Sequence, residues 1–209
     1  LFFMNLNNKN TQTYNKNGVL VIKKVFSIKD ISFLKKKINL YIKKYSNNLK
    51  GKEINFIDNK INSVHKFKDQ FFKKFSNQNK IKKIGNFFLK DKSKIKHFEY
   101  FAKPAFIGLA SPMHQDNYYW NLISPNALTI WVAIDRANKK NGSVDYLIGS
   151  HLRLYKHKAS YAPGSSQKVK DITQLKKRFK MKSFNLEVGD CLVHHSQIIH
   201  GSKKNFSRK

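Results

Sequence analysis

The chain has 209 residues, of which 40% are hydrophobic and 13% aromatic, and this composition excludes an intrinsically disordered polymer. Its 42 Lys and Arg residues against 12 Asp and Glu residues give a formal charge of +30 at pH 7. No apolar run reaches transmembrane length, and the apolar stretch at the start is too short for a secretory signal.

The excess of basic residues would suit a polyanion-binding module. Nucleic-acid interfaces favour arginine, because its planar guanidinium makes paired hydrogen bonds to phosphates and bases. In this chain lysines are spread over the whole length, and the arginines are only Arg136, Arg153, Arg178 and Arg208. Asn, Ile and Phe are abundant too, as an AT-rich genome produces. We therefore interpret the charge as compositional drift, with nucleic-acid binding as the less favoured alternative.

The single cysteine, Cys191, excludes an internal disulfide framework and predicts a reducing, cytoplasmic location. It is expected to be a small buried core residue. We expect one domain over residues 1–209, with a strand and helices over about 1–95 and a β-rich core over about 96–209. The chain begins at Leu1 rather than Met, and we expect it to be cut short at both ends.

The N-terminal half has helical signals after one short strand. The run Val19 to Val25 is typical of a strand, and Ser27 with Asp30 predicts a helix start. Apolar residues then recur at helical spacing, namely Ile31, Leu34, Ile38, Tyr41, Ile42 and Tyr45. Residues 53–95 predict one or two more helices, whose aromatic stripes we interpret as core.

From about residue 97 the pattern changes to short β-like runs separated by turns. The runs are HFEYFAKPAF, ALTIWVAID, SVDYLIGSH, KSFNLEV and CLVHHSQIIH. Helices followed by many short antiparallel strands predict an α+β, mainly β, fold built on a sandwich or jelly roll. The polar segment 151–182 is predicted to be an inserted loop that covers a binding mouth.

The stretch SPMHQDNYYW (111–120) places His114 and Asp116 two residues apart. In an extended strand both side chains would point to one face and Gln115 to the other. A third metal ligand could come from any other histidine, namely His65, His97, His151, His157, His194, His195 or His200. His200 stands in IIHGS, after a strand and before Gly201. Two histidines and one carboxylate on one face of an ion are the ligand set of non-haem Fe(II) oxygenases.

An ordered series of motifs extends this pattern over residues 103–207. It comprises Lys-Pro, His-Gln-Asp with an aromatic pair, Trp-x-Ala-x-Asp, Asn-Gly, Gly-Ser-His, Gly-Asp and His-Gly-Ser-x-x-Asn-x-Ser. The series resembles the phytanoyl-CoA dioxygenase family of Fe(II)- and 2-oxoglutarate-dependent oxygenases. The resemblance implies a double-stranded β-helix that binds Fe(II), 2-oxoglutarate and O2. It implies that His114, Asp116 and His200 are the iron ligands and that Trp131 and Ser202 lie near 2-oxoglutarate.

The chain departs from the family where an Arg on the last strand usually binds the far carboxylate of 2-oxoglutarate. In the family this Arg follows the Asn-x-Ser motif, here Asn205-Phe206-Ser207, by a few residues. The usual spacing would place it just past Lys209, so we expect the last strand and its Arg to be missing. Arg208 or Lys209 is the alternative partner, and Arg208 is the candidate within the chain. A cupin-like metal protein, or an inactive family member, is the alternative function that this departure supports.

The resemblance implies oxidation of a small organic substrate with release of succinate and CO2. Related halogenases lack the ligand carboxylate, so Asp116 favours hydroxylation of an unactivated C–H bond. Lysines and Arg153 in the 151–182 segment would suit an anionic substrate. We interpret His194 and His195 as core residues or as residues behind the ligands, and His151 as the end of a strand. The oligomeric state is not predicted.

Overall fold

The computed structural model describes residues 6–45, 70–96, 98–106, 108–162 and 165–208. The helices in this part of the chain are α1 (Asn8–Asn17), α2 (Ile28–Tyr45), α3 (Gln70–Ser76), α4 (Asn79–Leu89), α5 (Asp116–Trp120) and α6 (Ile172–Arg178). The strands are β1 (Val19–Ile22), β2 (Ser111–His114), β3 (Leu128–Val132), β4 (Val144–Leu147), β5 (His157–Ala162), β6 (Ser165–Val169), β7 (Met181–Ser183), β8 (Cys191–His195) and β9 (His200–Ser202).

The strands form two antiparallel sheets and a separate hairpin. The three-stranded sheet has the order β1-β8-β3, the four-stranded sheet has the order β2-β9-β4-β7, and β5 pairs with β6. Side chains from both sheets meet in one apolar cluster, in which Trp131 and Leu192 of the first sheet pack near Tyr146 of the second. This two-layered β core confirms the predicted jelly roll.

Helices α2, α3 and α4 cover the outer face of the three-stranded sheet. As predicted, α2 begins after Ser27, whose hydroxyl accepts from the Asp30 N–H at 3.1 Å while the Asp30 carboxylate accepts from the Ser27 N–H at 3.2 Å. Four residues of the predicted apolar stripe of α2 are buried in one cluster with Val193, namely Ile31, Leu34, Ile38 and Tyr41. The two helices α3 and α4 fall within the predicted helical region, of which residues 53–69 lie outside the described part.

A helix that the sequence analysis missed, α1, precedes the first strand. Its N-terminus has a capping box between Asn7 and Asn10, and it ends at Gly18, which has a φ of +74°. This left-handed conformation favours glycine and turns the chain directly into β1. Strand β1 then pairs with β8 over its whole length, so the N-terminal segment supplies one edge of the three-stranded sheet.

Two predictions about the β-rich half were wrong. No strand forms within the described residues of 97–106, where Pro104 lacks an N–H and its carbonyl accepts a turn hydrogen bond from Gly108. The segment 151–182 is not a loop, because it contains β5, β6 and α6. Ile172, Leu175 and Phe179 pack against Leu147 and its neighbours on the outer face of the four-stranded sheet. Within the described residues, no helix combines the length and the apolar character needed to cross a bilayer.

Candidate metal centre

Three predicted ligands come together at one end of the four-stranded sheet. His114 is the last residue of β2 and pairs with His200, the first residue of β9, so that their ring centroids lie 4.4 Å apart. The predicted strand 111–116 is shorter than expected, because Asp116 begins α5. One ligand atom from each of His114, Asp116 and His200 lies within 4.8 Å of the other two. This group could hold a metal ion.

Backbone carbonyls fix which ring nitrogen of each histidine faces the site. His114 Nδ1 lies 2.8 Å from the carbonyl oxygen of Pro112, and His200 Nδ1 lies 3.0 Å from that of Ile198. A carbonyl oxygen only accepts, so Nδ1 carries the proton and the lone pair of the neutral ring is on Nε2. The two Nε2 atoms lie 3.7 Å and 3.5 Å from Asp116 Oδ1. Two imidazole nitrogens and one carboxylate oxygen thus face a common point, which fits a divalent transition metal.

The two oxygens of the Asp116 carboxylate have different surroundings. Its Oδ2 accepts hydrogen bonds from Thr129 Oγ1 and from His194 Nε2, each at 3.0 Å, whereas Oδ1 faces the two candidate ligand rings. Burial raises the pKa of Asp116, but electrostatic attraction to the His200 ring and the His194 hydrogen bond outweigh burial and hold this pKa well below its usual range. Burial also lowers the pKa of His200, which favours the neutral ring. The site therefore offers one carboxylate oxygen and, from the neutral form of each ring, one Nε2 lone pair.

Gln115 anchors the strand between the two ligands that flank it. Its side chain is fully buried and donates to the carbonyl oxygens of Arg153, at 2.9 Å, and Gln197. Its Oε1 accepts from the Tyr155 N–H at 2.8 Å. All the donor and acceptor groups of this amide lead away from Asp116. Gln115 therefore ties the ligand segment to the start of the inserted segment and to the turn between β8 and β9.

The residues predicted to lie near 2-oxoglutarate occupy different environments. Trp131, on β3, packs against the apolar cluster between the sheets, and Ser202, on β9, is buried two residues after His200. Alternate residues of a strand share a face, so Ser202 lies on the same side of β9 as His200, and Trp131 on the same side of β3 as Thr129. Arg208 follows β9 and is exposed. Its predicted contact with 2-oxoglutarate stays a prediction.

His194 and His195 lie on opposite faces of β8. His194 faces Asp116, whereas His195 lies beside Tyr14 and His151, with ring centroids 6.3 Å and 5.2 Å away. Burial, helped by His151 and His194, lowers the pKa of His195 to about 4, so this side chain is a neutral core residue. Cys191, on the same face, is buried, and burial raises its thiol pKa to about 12. His65 and His97 lie outside the described residues.

Two further residues of the centre, Thr129 and Tyr146, were not predicted from the sequence. Thr129 donates to Asp116, and the Tyr146 hydroxyl lies 3.0 Å from His194 Nδ1. Burial, with the charge of Asp116, raises the pKa of Tyr146 well above its usual value, so its hydroxyl keeps its proton. Of these two residues, only Thr129 could have been inferred from the sequence. It precedes Trp131 by two positions, and alternate residues of a strand share one face.

The inserted hairpin packs beside the candidate ligands. The Tyr119 ring lies edge-on to His114 with centroids 5.8 Å apart, and its hydroxyl accepts from the Gln167 N–H at 3.1 Å and lies 3.2 Å from the Gln167 carbonyl oxygen. Tyr118 stacks on His157 at 4.0 Å. Helix α5 is therefore held between the ligand strand and the hairpin.

Comparison with protein families identifies the chain. The family model for phytanoyl-CoA dioxygenase matches residues 14–209. The chain belongs to the phytanoyl-CoA dioxygenase family. This is a family of Fe(II)- and 2-oxoglutarate-dependent oxygenases, and the resemblance seen in the sequence motifs is confirmed. No curated protein has a significantly similar sequence.

Solved structures similar to this member of the phytanoyl-CoA dioxygenase family share its fold. EctD from S. alaskensis with 2-oxoglutarate and 5-hydroxyectoine is 18% identical, with a TM-score of 0.78 over 97% of this chain and 72% of that one. SnoK, a non-haem α-ketoglutarate-dependent carbocyclase from nogalamycin biosynthesis, is 18% identical, with a TM-score of 0.79 over 98% and 80%. EvdO2 from Micromonospora carbonacea var. aurantiaca with 2-oxoglutarate is 16% identical, with a TM-score of 0.72 over 98% and 87%.

Proposed function

We propose that this chain is an Fe(II)- and 2-oxoglutarate-dependent dioxygenase that hydroxylates a C–H bond of a small organic substrate, with release of succinate and CO2. His114, Asp116 and His200 would hold the iron. The observation that carries the proposal is the convergence of their three ligand atoms within 4.8 Å of one another. Bound iron would supply the oxidation chemistry with O2 and 2-oxoglutarate, and the protein would supply binding, orientation and exclusion of water.

The donor set supports this choice of metal and reaction. Two imidazoles and one carboxylate on one face of an octahedral ion leave three positions for exogenous ligands. The hydrogen bonds of the two Nδ1 atoms to backbone carbonyls orient the rings, as expected for metal-binding histidines. The presence of Asp116 favours hydroxylation over halogenation, because a halide would need the position that this carboxylate takes.

The co-substrate would lie between the sheets, beside the metal. The placement of Trp131 and Ser202 on strand faces shared with Thr129 and His200 supports a role for both in binding 2-oxoglutarate. Within this chain, Arg208 is the candidate to pair with the far carboxylate through its two-pronged guanidinium. The substrate would approach past Tyr119, which lies against His114. EctD was solved with 5-hydroxyectoine, and SnoK is a carbocyclase from nogalamycin biosynthesis, which supports a small-molecule substrate. That the substrate is anionic stays a prediction.

An anaerobic absorbance titration with Fe(II) and then 2-oxoglutarate tests the proposal. We expect a visible charge-transfer band that requires both additions and that disappears in His114→Ala. A protein that binds Fe(II) but gives no band would instead be a metal protein that does not use 2-oxoglutarate. A protein that binds neither would contradict the proposal.

Two arginine variants test the carboxylate partner in the same titration. Arg208→Ala is expected to weaken 2-oxoglutarate binding by about tenfold or more, because one charge-assisted hydrogen-bonded pair is lost. Arg178→Ala is the matched control, since Arg178 is an exposed residue at the end of α6 whose guanidinium lies over Phe179. Equal affinities in the two variants would exclude Arg208 as the partner.

A further inference from the structure

A buried chain of polar side chains connects the two sheets behind Asp116. The Tyr146 hydroxyl on β4 lies 3.0 Å from His194 Nδ1 on β8, and His194 Nε2 lies 3.0 Å from Asp116 Oδ2. Tyr146 is 1% exposed and His194 is 4% exposed. The surroundings are apolar residues of the cluster between the sheets. A polar chain in such a place is costly unless its hydrogen bonds are made, so its geometry is strongly determined.

We propose that His194 and Tyr146 are positioning residues that make Asp116 bind the metal through one oxygen only. The proposal rests on the metal centre proposed above, and it concerns residues that need not touch the metal. His194 would act on Asp116 directly, and Tyr146 would act through His194.

The direction of each hydrogen bond in the series Tyr146–His194–Asp116 follows from the carboxylate at its end. A carboxylate that binds a metal is deprotonated and only accepts, so His194 Nε2 must donate to Asp116 Oδ2. In the tautomer that carries its proton on Nε2, the lone pair is on Nδ1, which accepts from the Tyr146 hydroxyl. Tyr146 thereby selects the tautomer of His194 that can donate to Asp116. Without the hydroxyl, the ring could place its proton on either nitrogen.

The consequence for the metal lies in the other oxygen of Asp116. Oδ2 accepts from both His194 and Thr129, so its electron pairs are engaged, whereas Oδ1 lies 3.5 Å and 3.7 Å from the two ligand rings. A carboxylate without these donors can rotate and bind a metal through both oxygens. It would then take one of the three positions that the co-substrate and O2 require.

Tyr146 also fixes the ring of His200. It pairs with His200 across β4 and β9, and the two rings stack at 5.7 Å with an interplanar angle of 24°. One side chain thus contacts a candidate ligand on its own sheet and reaches the His194 ring on the opposite sheet. A change in the separation of the two sheets would therefore alter the contacts of His194 with both Tyr146 and Asp116.

A Co(II) titration without 2-oxoglutarate tests the proposal, because the visible bands of Co(II) report its coordination number. We expect His194→Phe to weaken Co(II) binding by about 10- to 100-fold, the usual cost of losing a partner of a ligand, and to change the intensity of the bands. His194→Gln retains an N–H donor near the position of Nε2, and it is expected to restore much of the affinity and the wild-type spectrum. Tyr146→Phe is expected to give a smaller loss in the same direction.

His195→Gln is the matched control, because His195 points to the opposite face of β8 and lies beside Tyr14 and His151. It is expected to lower the thermal stability and to leave the Co(II) spectrum unchanged. Wild-type affinity and spectrum in folded His194→Phe and Tyr146→Phe would overturn the proposal, and Tyr146→Phe decides alone if His194→Phe does not fold. Failure of the wild-type chain to bind Co(II) would instead overturn the proposed metal centre.

Discussion

Gly201 shows how a single residue sets the spacing of the candidate metal centre. It follows His200 on β9, and a Cβ atom built at this position would lie 2.8 Å from the Ser111 carbonyl oxygen and 3.0 Å from the Met113 nitrogen. These are backbone atoms of β2, the strand that ends in His114. Glycine is therefore required here for the close approach of two strands, and this gives a physical reason for Gly in the His-Gly-Ser motif.

Gly201→Ala is expected to push β9 away from β2 and to separate His200 from His114. We expect overpacking to destabilise the fold by about 1–3 kcal/mol and Co(II) affinity to fall at least about tenfold. Urea unfolding and the metal titration measure the two effects. Gly85→Ala is the control, since its Cβ would meet only the Ser93 side chain on the helical layer. Equal metal affinity in both variants would contradict this explanation.

At the scale of elements, α5 joins the metal centre to the inserted hairpin. The helix begins with Asp116, and its Tyr119 hydroxyl hydrogen-bonds to the backbone of Gln167 on β6. Tyr118 adds a stacking contact with His157 on β5. Val169 of β6 is buried in one cluster with Leu147 and Ile199, but the hairpin edges form no ladder with the two larger sheets among the described residues. Such an element should open more readily than the core.

Tyr119→Phe removes the hydroxyl that bonds Gln167 and keeps the ring that lies against His114. A typical hydrogen bond contributes about 0.5–1.5 kcal/mol, so amide exchange in β5 and β6 is expected to be about 2- to 10-fold faster. Hydrogen–deuterium exchange with mass spectrometry measures this, with the amides of α2 as an internal reference. Tyr118→Phe retains the ring stacked on His157 and should leave the hairpin unchanged. Equal acceleration in both variants would show that the hydroxyl contact does not hold the hairpin.

Predictability from sequence differed between elements for physical reasons. The helix α2 was predictable because its apolar stripe and its cap appear in adjacent residues. The helix α1 was missed because only Tyr14 of its residues is buried, so no stripe exists. The hairpin was missed because its strands are rich in Lys, Ser and Ala, which give little alternation of polar and apolar residues. Local patterns reveal an element only when the element buries one face of its own.

The same distinction holds for the candidate site. His114 and Asp116 were found because they are neighbours on one segment, and His200 because an ordered series of motifs surrounds it. Thr129 and Tyr146 lie on strands whose partners are distant in sequence, so their approach to Asp116 depends on how the two sheets pack. A hydrogen bond between sheets leaves no local spacing to detect.

At the scale of the whole molecule, the net charge opposes folding. Even if each of the 12 acidic residues paired with a different cation, 42 − 12 = 30 Lys and Arg residues would have no carboxylate of their own. Some exposed ion pairs do form, such as Lys35 with Asp135 at 2.6 Å and Arg136 with Glu187 at 3.0 Å. Surface pairs of this kind contribute about 0–1 kcal/mol each. Repulsion among the remaining cations is therefore expected to lower the free energy of unfolding.

Added NaCl should consequently stabilise this protein. Screening shortens the Debye length from about 30 Å at 0.01 M to about 8 Å at 0.15 M, so most of the gain should appear below about 0.2 M. We expect the urea midpoint to rise over this interval and to change slowly above it. Lys82→Gln, on the exposed face of α4, should raise the midpoint at low salt and lose this advantage at high salt, whereas Lys82→Arg keeps the charge and should match the wild type. A midpoint that falls as salt is added would mean that the ion pairs outweigh the repulsion.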